Sequence, residues 1–226
     1  MKHKIHGQMS DSFLTAAFLS VSGGLQDAYT YIFRGKVFAN AQTGNILLLG
    51  INISERNWHM ALHYLVPGLA FAIGIALADL VKIRTKDLTL LHWRQISVFC
   101  EAVILLSVSF IPQDFNLVAN ALTSLACGIQ VESFRKIHGN GIATTMCIGN
   151  LRSATQHMCS YANTKDKEYI KKGLLYYGII FFFVIGAVIG NACVEMFAEK
   201  ALLIASAILA IAFVMMFVDG EKEQCK

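Results

Sequence analysis

The sequence has little charge and almost no proline. Charged residues make up 15% of its 226 residues and prolines number two, while 55% of the residues are hydrophobic. Soluble globular domains contain about 25% charged residues. The scarcity of charge therefore sets this chain apart from a soluble domain and indicates a protein that lies in a lipid bilayer.

The sequence also lacks the patterns of metal and redox sites. Its six cysteines form no C-x-x-C pair, and five of them lie in or beside apolar segments, which predicts reduced packing residues. His59 and His63 are four residues apart, but no carboxylate or cysteine stands near them, so we interpret them as an interfacial helix end. We expect no metal and no cofactor.

Nucleic-acid binding and catalysis are not indicated either. The net charge is +4, yet the Lys and Arg residues fall in connectors between apolar runs, where membrane topology explains them, so we expect no nucleic-acid partner. No nucleophile and base pair, metal cluster or phosphate loop is recognisable. We therefore predict that the protein is not an enzyme.

Apolar runs recur along almost the whole chain and are long enough to approach or span about 30 Å of hydrocarbon as helices. They lack the alternation of a membrane barrel, and a helix satisfies its own backbone hydrogen bonds in lipid. The runs are Phe13–Phe33, His59–Val81, Gln95–Ile111, Leu117–Phe134, Gly173–Val194 and Ala201–Val218. The sequence thus predicts one all-α integral membrane domain over residues 1–226, with six transmembrane helices and the lipid bilayer as partner.

The second half of the chain repeats the plan of the first. The matching stretches are Gly24-Leu-Gln-Asp-Ala-Tyr with Gly128-Ile-Gln-Val-Glu-Ser, Gly44-Asn45 with Gly149-Asn150, and the small-x-x-x-small faces within residues 71–78 and 183–190. Their shared order predicts a duplication, with repeat one at residues 11–111 and repeat two at residues 115–218.

The orientation of the two halves follows from Lys and Arg, which accumulate in cytoplasmic connectors. If residues 37–53 and 141–160 dip into the membrane without crossing it, 15 of the 19 Lys and Arg residues lie on the side of the N-terminus. If both segments cross, this bias nearly disappears. We therefore predict six spans, with both termini cytoplasmic. Three spans in each half make the repeat inverted, as in many transporters.

Each half contains a short polar stretch that suits such a dipping segment: NAQTGNILLLG at residues 40–50 and TMCIGNLRS at residues 145–153. The apolar run Ile46–Leu49 is too short to cross, which predicts a re-entrant or broken helix. Such backbone is tolerated at membrane depth only inside protein or beside a wet cavity. Free N–H groups at helix starts carry partial positive charge. Two such ends that meet near the midplane would bind a polar or anionic solute.

The candidate site combines these stretches with polar residues inside the spans. Acidic groups within a membrane cost several kcal/mol unless protonated, paired or hydrated, which makes Asp27 and Glu101 candidates for proton coupling. The candidate substrate-binding residues are Gln26, Asp27, Asn40, Thr43, Gly44, Asn45, Gln130, Gly149 and Asn150.

Structural roles are open for several of these residues. The Thr43-Gly44-Asn45 stretch is also what a turn at the membrane interface would contain, with its polar atoms capping a short helix. Asp27 stands two turns before Arg34 and suits an ion pair with it. Glu132 suits an interfacial pair with Arg135 and Lys136.

The stretch Gly23-Gly-Leu-Gln-Asp-Ala-Tyr-Thr-Tyr, followed by Gly35-Lys-Val-Phe-Ala-Asn-Ala-Gln-Thr-Gly-Asn-Ile, resembles the signature of the YoaK-like family of bacterial multi-pass inner-membrane proteins. The residues that match are Gly24, Asp27, Ala28, Phe38, Thr43, Gly44 and Asn45. The resemblance implies a multi-pass protein of the bacterial inner membrane. It implies no substrate, because the family is a domain of unknown function.

The inverted repeat and the dipping segments together predict a transporter of a small polar or anionic solute. A channel for a small ion or solute is an alternative, and so is a non-transporting membrane partner or sensor protein. The small-x-x-x-small faces also permit a homodimer.

Overall fold

The computed structural model describes residues 12–85, 93–136 and 140–224, with side chains described up to residue 216. The described helices are α1 (Phe13–Phe33), α2 (Gln42–Ser54), α3 (Trp58–Arg84), α4 (Trp93–Val108), α5 (Asn116–Ser133), α6 (Cys147–Thr164), α7 (Lys167–Phe197) and α8 (Leu202–Gln224). Short 3₁₀ turns at Gln113–Phe115 and Ala198–Ala201 precede α5 and α8. The predicted all-α class is confirmed.

The six predicted apolar runs lie on α1, α3, α4, α5, α7 and α8. Within the described parts of the chain, two stretches are long and apolar enough to cross a membrane by length and composition alone, Trp58–Arg84 and Lys167–Met216. The second of these contains α7 and residues 202–216 of α8. The number of spans therefore stays a prediction. Residues 1–11 and the last two residues, and with them the predicted positions of the termini, lie outside the described residues.

Three of the long helices begin with a side-chain N-cap, whereas α5 and the two segments expected to dip do not. Ser12, Asn57 and Asp166 cap α1, α3 and α7 by accepting an N–H with their side chains, as is usual for such residues. By contrast, α2 and α6 begin without a side-chain cap from their own N-cap residue. Their starts are preceded by residues 37–41 and 142–146, which we call the two lead-in segments.

The contacts between helices are symmetric with respect to the two halves of the chain. Helix α1 packs along α7, and α3 packs along α5. The short helices fold back on their successors, α2 on α3 and α6 on α7, while α1 contacts α8 and α5 contacts α4. Exchanging α1 with α5, α2 with α6, α3 with α7 and α4 with α8 turns each of these pairs into another observed pair. The contact between α4 and α8 maps onto itself.

Glycines make the closest of these contacts. A Cβ placed on Gly24 of α1 would strike the Phe183 carbonyl of α7, and one placed on Gly128 of α5 would strike the Phe71 carbonyl of α3. In return, Gly186 lies on the Val21 backbone and Gly74 lies on the Leu125 backbone. Small residues allow this approach between helix backbones.

The small-x-x-x-small faces are occupied within the chain. Gly190 lies against Leu25 and Ala28 of α1, while Ala78 is 2% exposed. The residues that would permit a homodimer thus pack α7 on α1 and α3 on α5 within the chain, and the homodimer itself stays a prediction.

Candidate functional site

Two asparagines hold the lead-in segments. Asn45 Nδ2 donates to the Phe38 carbonyl at 2.7 Å, and the Phe38 N–H donates back to Asn45 Oδ1 at 3.0 Å. Asn150 Nδ2 donates in the same way to the Ala143 carbonyl, again seven residues earlier, at 2.6 Å. Both side chains are buried. Each asparagine therefore closes its lead-in segment against the start of its helix.

The two lead-in segments meet at one turn of α1. Asn40 Nδ2 donates to the Gly23 carbonyl at 3.2 Å. A Cβ placed on Gly23 would overlap the Thr145 methyl group and lie 3.7 Å from Asn40 Nδ2. Gly23 thus leaves room for Asn40 from one half and Thr145 from the other, and the two residues come together in the protein interior.

Asp27 fixes the first lead-in segment from the next turn of α1. Its Oδ1 accepts the Asn40 N–H at 2.7 Å, and the N–H groups of Ala39 and Ala41 also face the carboxyl group. These groups stand directly before the start of α2, where a helix carries partial positive charge. The Asp27 carboxyl therefore accepts N–H groups at the positive end of α2, and these hydrogen bonds use much of its acceptor capacity.

Gln26 links three helices beside Asp27. Its Nε2 donates to Ser22 Oγ at 3.1 Å and to Glu101 Oε1 of α4 at 3.2 Å. Its Oε1 accepts from Cys127 Sγ of α5 at 3.0 Å. Gln26, Glu101 and Cys127 are each 0% exposed. The Cys127 thiol also lies near the Asn40 side chain.

Gln130 is the counterpart of Gln26 in α5. Its Nε2 donates to the Leu19 carbonyl of α1 at 3.2 Å and to Thr144 Oγ1 of the second lead-in segment at 2.8 Å. Gln130 thereby ties α5, α1 and the second lead-in segment together. We name Gln26, Asp27, Asn40, Glu101, Cys127, Gln130 and Thr145 the central cluster.

Several buried oxygen atoms in and beside the central cluster find no hydrogen-bond partner in the protein. They are Asn40 Oδ1, Glu101 Oε2, Ser124 Oγ, Gln130 Oε1 and Thr145 Oγ1, and each of these residues is at most 4% exposed. Buried polar groups without a partner are rare in folded proteins, and they mark places where a ligand or water supplies the missing contact.

The central cluster contains acidic groups without basic partners. Neither Asp27 nor Glu101 forms an ion pair with a residue that the structure describes. Arg34, the buried cation that follows the end of α1, is engaged elsewhere. Its guanidinium donates to Tyr29 Oη, to the carbonyls of Ile111 and Pro112, and to Asn116 Oδ1. Among the described residues, the central cluster therefore contains two acids with no basic side chain paired to them.

Other candidate residues lie away from the cluster. Thr43 and Gly149 are exposed, and the space around a Cβ on Gly149 is open. Gly44 lies against the Phe38 ring. Glu132 pairs with Arg135 at 3.3 Å, as an interfacial role predicts.

Two members of the central cluster, Cys127 and Thr145, were not among the sequence candidates. The repeat aligns each of these two residues with a residue of the first half that lies at the same site. Aligning Gly44-Asn45 with Gly149-Asn150 sets Asn40 opposite Thr145, and aligning Gly24 with Gly128 sets Gly23 opposite Cys127. Neither residue type draws attention alone, since threonine and cysteine are ordinary in apolar helices.

The fold has the character of an α-helical membrane protein. Large apolar side chains face outward along the helices, among them Ile148 at 77%, Met196 at 73% and Ile46 at 66% exposed. Such an exterior is costly in water and natural in lipid. The long apolar helices point the same way.

Comparisons with known proteins agree. The chain belongs to the family described as "Protein of unknown function (DUF1275)", whose profile matches residues 15–215. It is similar to "UPF0700 transmembrane protein YoaK" of Bacillus subtilis (strain 168), with 25% identity over 185 residues that cover 76% of this chain and 80% of that protein. The chain is thus a membrane protein of a YoaK-like family. No solved structure matches it.

Proposed function

We propose that the protein transports a small polar solute across the bacterial plasma membrane by alternating access, with the central cluster as its binding site. One observation carries this proposal: Asn40 and Thr145, from the lead-in segments of the two halves, meet at Gly23 beside buried oxygens that lack a partner. Transporters with inverted repeats bind their solute at such a meeting point of two halves.

The proposed topology has six spans, α1, α3, α4, α5, α7 and α8, in two inverted halves. The exchange of helix pairs between the halves supports it, as do the matching glycine contacts of Gly24 with Gly128 and of Gly74 with Gly186. Helix α2 has 13 residues and is about 20 Å long, short of the roughly 30 Å of hydrocarbon. Helix α6 has exposed polar side chains, including Arg152 and Gln156, which suits an interfacial position.

In this scheme the two asparagines, Asn45 and Asn150, are positioning residues. Their side chains hold the lead-in segments, while Gln26, Asn40, Gln130 and Thr145 present polar atoms to the solute. Rocking of one half against the other would move Asn40 relative to Thr145. The binding site between them would then open to one side of the membrane at a time. Glu101 is the candidate for coupling, since its Oε2 is buried and unpartnered.

Cysteine labelling tests the proposal without knowledge of the solute. Cys127 lies in the central cluster, so a variant that keeps it and replaces the other five cysteines reports access to the site. We expect a membrane-impermeant maleimide to label Cys127 from either side of oriented vesicles, with conditions that raise labelling from one side lowering it from the other. A matched variant that keeps only Cys193, which is buried in the helix packing, should resist labelling from both sides.

The alternatives give different labelling. A channel would expose Cys127 to both sides at once, with no exchange between them. A non-transporting sensor or partner subunit, or an enzyme open to one compartment, would expose it to one side or neither. Either result would overturn alternating access.

A further inference from the structure

The unpartnered atoms in the central cluster and at the neighbouring Ser124 share one chemistry, and this inference rests on the proposed function. Asn40 Oδ1, Glu101 Oε2, Ser124 Oγ, Gln130 Oε1 and Thr145 Oγ1 are all oxygens. Gln130 Nε2 donates both to the Leu19 carbonyl and to Thr144, and Asn40 Nδ2 donates to the Gly23 carbonyl. The amide oxygens and an ionised carboxylate offer electron pairs, while the two hydroxyl groups can accept as well as donate, so the site suits a cation or a strong hydrogen-bond donor better than an anion.

The charges around the site favour a cation as well. The positive end of α2, which would attract an anion, is occupied by Asp27 through the Asn40 N–H and the neighbouring N–H groups. Glu101 is 0% exposed and has no basic partner among the described residues. An ionised carboxylate in such a place is costly unless a counter-ion accompanies it.

The number and type of ligands limit the cation. Asp27 accepts the Asn40 N–H through Oδ1, and Glu101 Oε2 is the one buried carboxylate oxygen without a hydrogen-bond partner among the described residues. One negative charge balances one positive charge. The remaining oxygens are neutral amide and hydroxyl groups, which are hard ligands for hard cations. Mg²⁺ keeps several waters and does not suit a site enclosed by helices.

The ligands lie around the Cys127 thiol. Gln26 bridges Glu101 and Cys127 through hydrogen bonds of 3.2 and 3.0 Å, and the Cys127 thiol lies near the Asn40 side chain. Ser124 stands one turn earlier on the same face of α5, because residues three apart on a helix are neighbours. Oxygens of Glu101 in α4, Ser124 in α5 and Asn40 in the first lead-in segment therefore lie around one common position. Thr145 lies next to this position, at Gly23.

We propose that the central cluster binds a small monovalent cation, with Glu101 Oε2 as its charged ligand and the amide and hydroxyl oxygens around it. The chemistry is shared by an alkali ion such as Na⁺ and by a compact ammonium group. Asp27 is a positioning residue in this site. The bound cation is either the transported solute or the ion that drives its transport.

Thermal unfolding of the purified protein in detergent tests the proposal. Trp58 and Trp93 provide an intrinsic fluorescence signal. Chloride salts of Na⁺, K⁺ and methylammonium are titrated against choline at constant ionic strength. A ligand that binds only the folded state raises stability with its concentration, so we expect a saturable rise of several degrees with at least one of the three cations.

Paired variants locate the effect. Glu101→Gln keeps the size of the side chain and removes its charge, so the cation response should disappear. Glu132→Gln, which removes an acid that pairs with Arg135 outside the cluster, should respond like the wild type. A wild-type protein that responds to none of the three cations would overturn the proposal, and so would a Glu101→Gln variant that responds fully.

A second measurement covers a Glu101 variant that does not fold. In the protein that keeps only Cys127, the stabilising cation should slow maleimide labelling several-fold, whereas choline should not. Labelling from both sides without any cation protection would reject the cation site and leave transport standing. Labelling from one side or neither would reject transport itself, so the two failures are distinguishable.

Discussion

Helices α1 and α5 present the same glutamine but different neighbours. Gln26 and Gln130 are both fully buried and both reach across to other helices. The next residue is Asp27 in α1 and Val131 in α5. Asp27 accepts the Asn40 N–H of the first lead-in segment, whereas in the second half Gln130 takes over that task by donating to Thr144.

The glycine contacts occur in both halves, and so do the hydrogen bonds by which Asn45 and Asn150 hold the lead-in segments, which we call the asparagine locks. The buried acids among the described side chains occur in one half. Asp27 and Glu101 both belong to the first half, and the described side chains of α8, residues 202–216, include no acid. This difference teaches that helix packing requires the repeated residues, while charge at the centre does not follow from packing. A buried acid costs stability, so an acid kept in one half only is a candidate for function.

The largest effect is expected from the paired glycines at the helix crossings. Gly24→Val and Gly128→Val would each press a side chain into a neighbouring helix backbone, at Phe183 and at Phe71. Overpacking costs about 1 to 3 kcal/mol and sometimes more, and backbone is less able to yield than a side chain. We expect both variants to lose most of the monodisperse protein in size-exclusion chromatography.

The control for this pair is Gly50→Ala, where the added Cβ meets nothing within 4 Å. It should elute like the wild type. If one crossing glycine tolerated valine and the other did not, the two crossings would not be equivalent and the repeat would be weaker than its contacts indicate.

Replacing Asp27 by the valine found at the equivalent position of α5 tests whether the acid holds the first lead-in segment. Asp27→Val copies the second half and leaves the Asn40 N–H without its partner, which costs about 1 to 3 kcal/mol for a buried donor. Asp27→Asn keeps an oxygen for that N–H and should remain closer to the wild type. Thermal unfolding in detergent compares the two variants. Equal midpoints would show that Asp27 does not hold the first lead-in segment.

The asparagine locks should differ in strength. Asn45 exchanges two hydrogen bonds with Phe38 and donates a third to Gln42 at 2.9 Å, whereas Asn150 donates one to Ala143. We expect Asn45→Ala to lower the unfolding midpoint more than Asn150→Ala, each by an amount that corresponds to about 1 to 3 kcal/mol. Asn52→Ala, which removes a bond within α2, is the control. A reversed order would contradict this assignment.

Hydropathy predicted the helices because lipid-facing and buried residues are both apolar in this fold. The predicted bounds Phe13–Phe33 coincide with α1. Helix α7 begins earlier than the predicted Gly173, at Lys167, because Asp166 caps it and Lys172 pairs with Glu168 in its first turns. Charged helix ends are invisible to a search for apolar runs.

The residues of the site were harder to predict. Intramembrane polarity pointed to Gln26, Asp27 and Glu101, all of which are buried. The TGN motif suggested Thr43 as well, but a helix turns about 100° per residue, so that Thr43 is exposed while Asn45 faces inward. Thr145 was missed because its role depends on Gly23, which is distant in sequence and becomes its neighbour only through folding.

The smallest effect is expected at the glycines that precede the two locking asparagines. Gly149 stands in open space within α6, where alanine is favoured over glycine by about 1 kcal/mol. Gly149→Ala should therefore raise the unfolding midpoint slightly. A Cβ on Gly44 would lie 2.7 Å from the Phe38 ring, whose backbone is bonded to Asn45, so Gly44→Ala has to displace that ring and should be neutral or destabilising. Thermal unfolding of the two variants side by side measures the difference. If both alanines stabilised the protein equally, the Phe38 ring would be free to move aside, and the first lead-in segment would be held by the Asn45 hydrogen bonds without help from its packing.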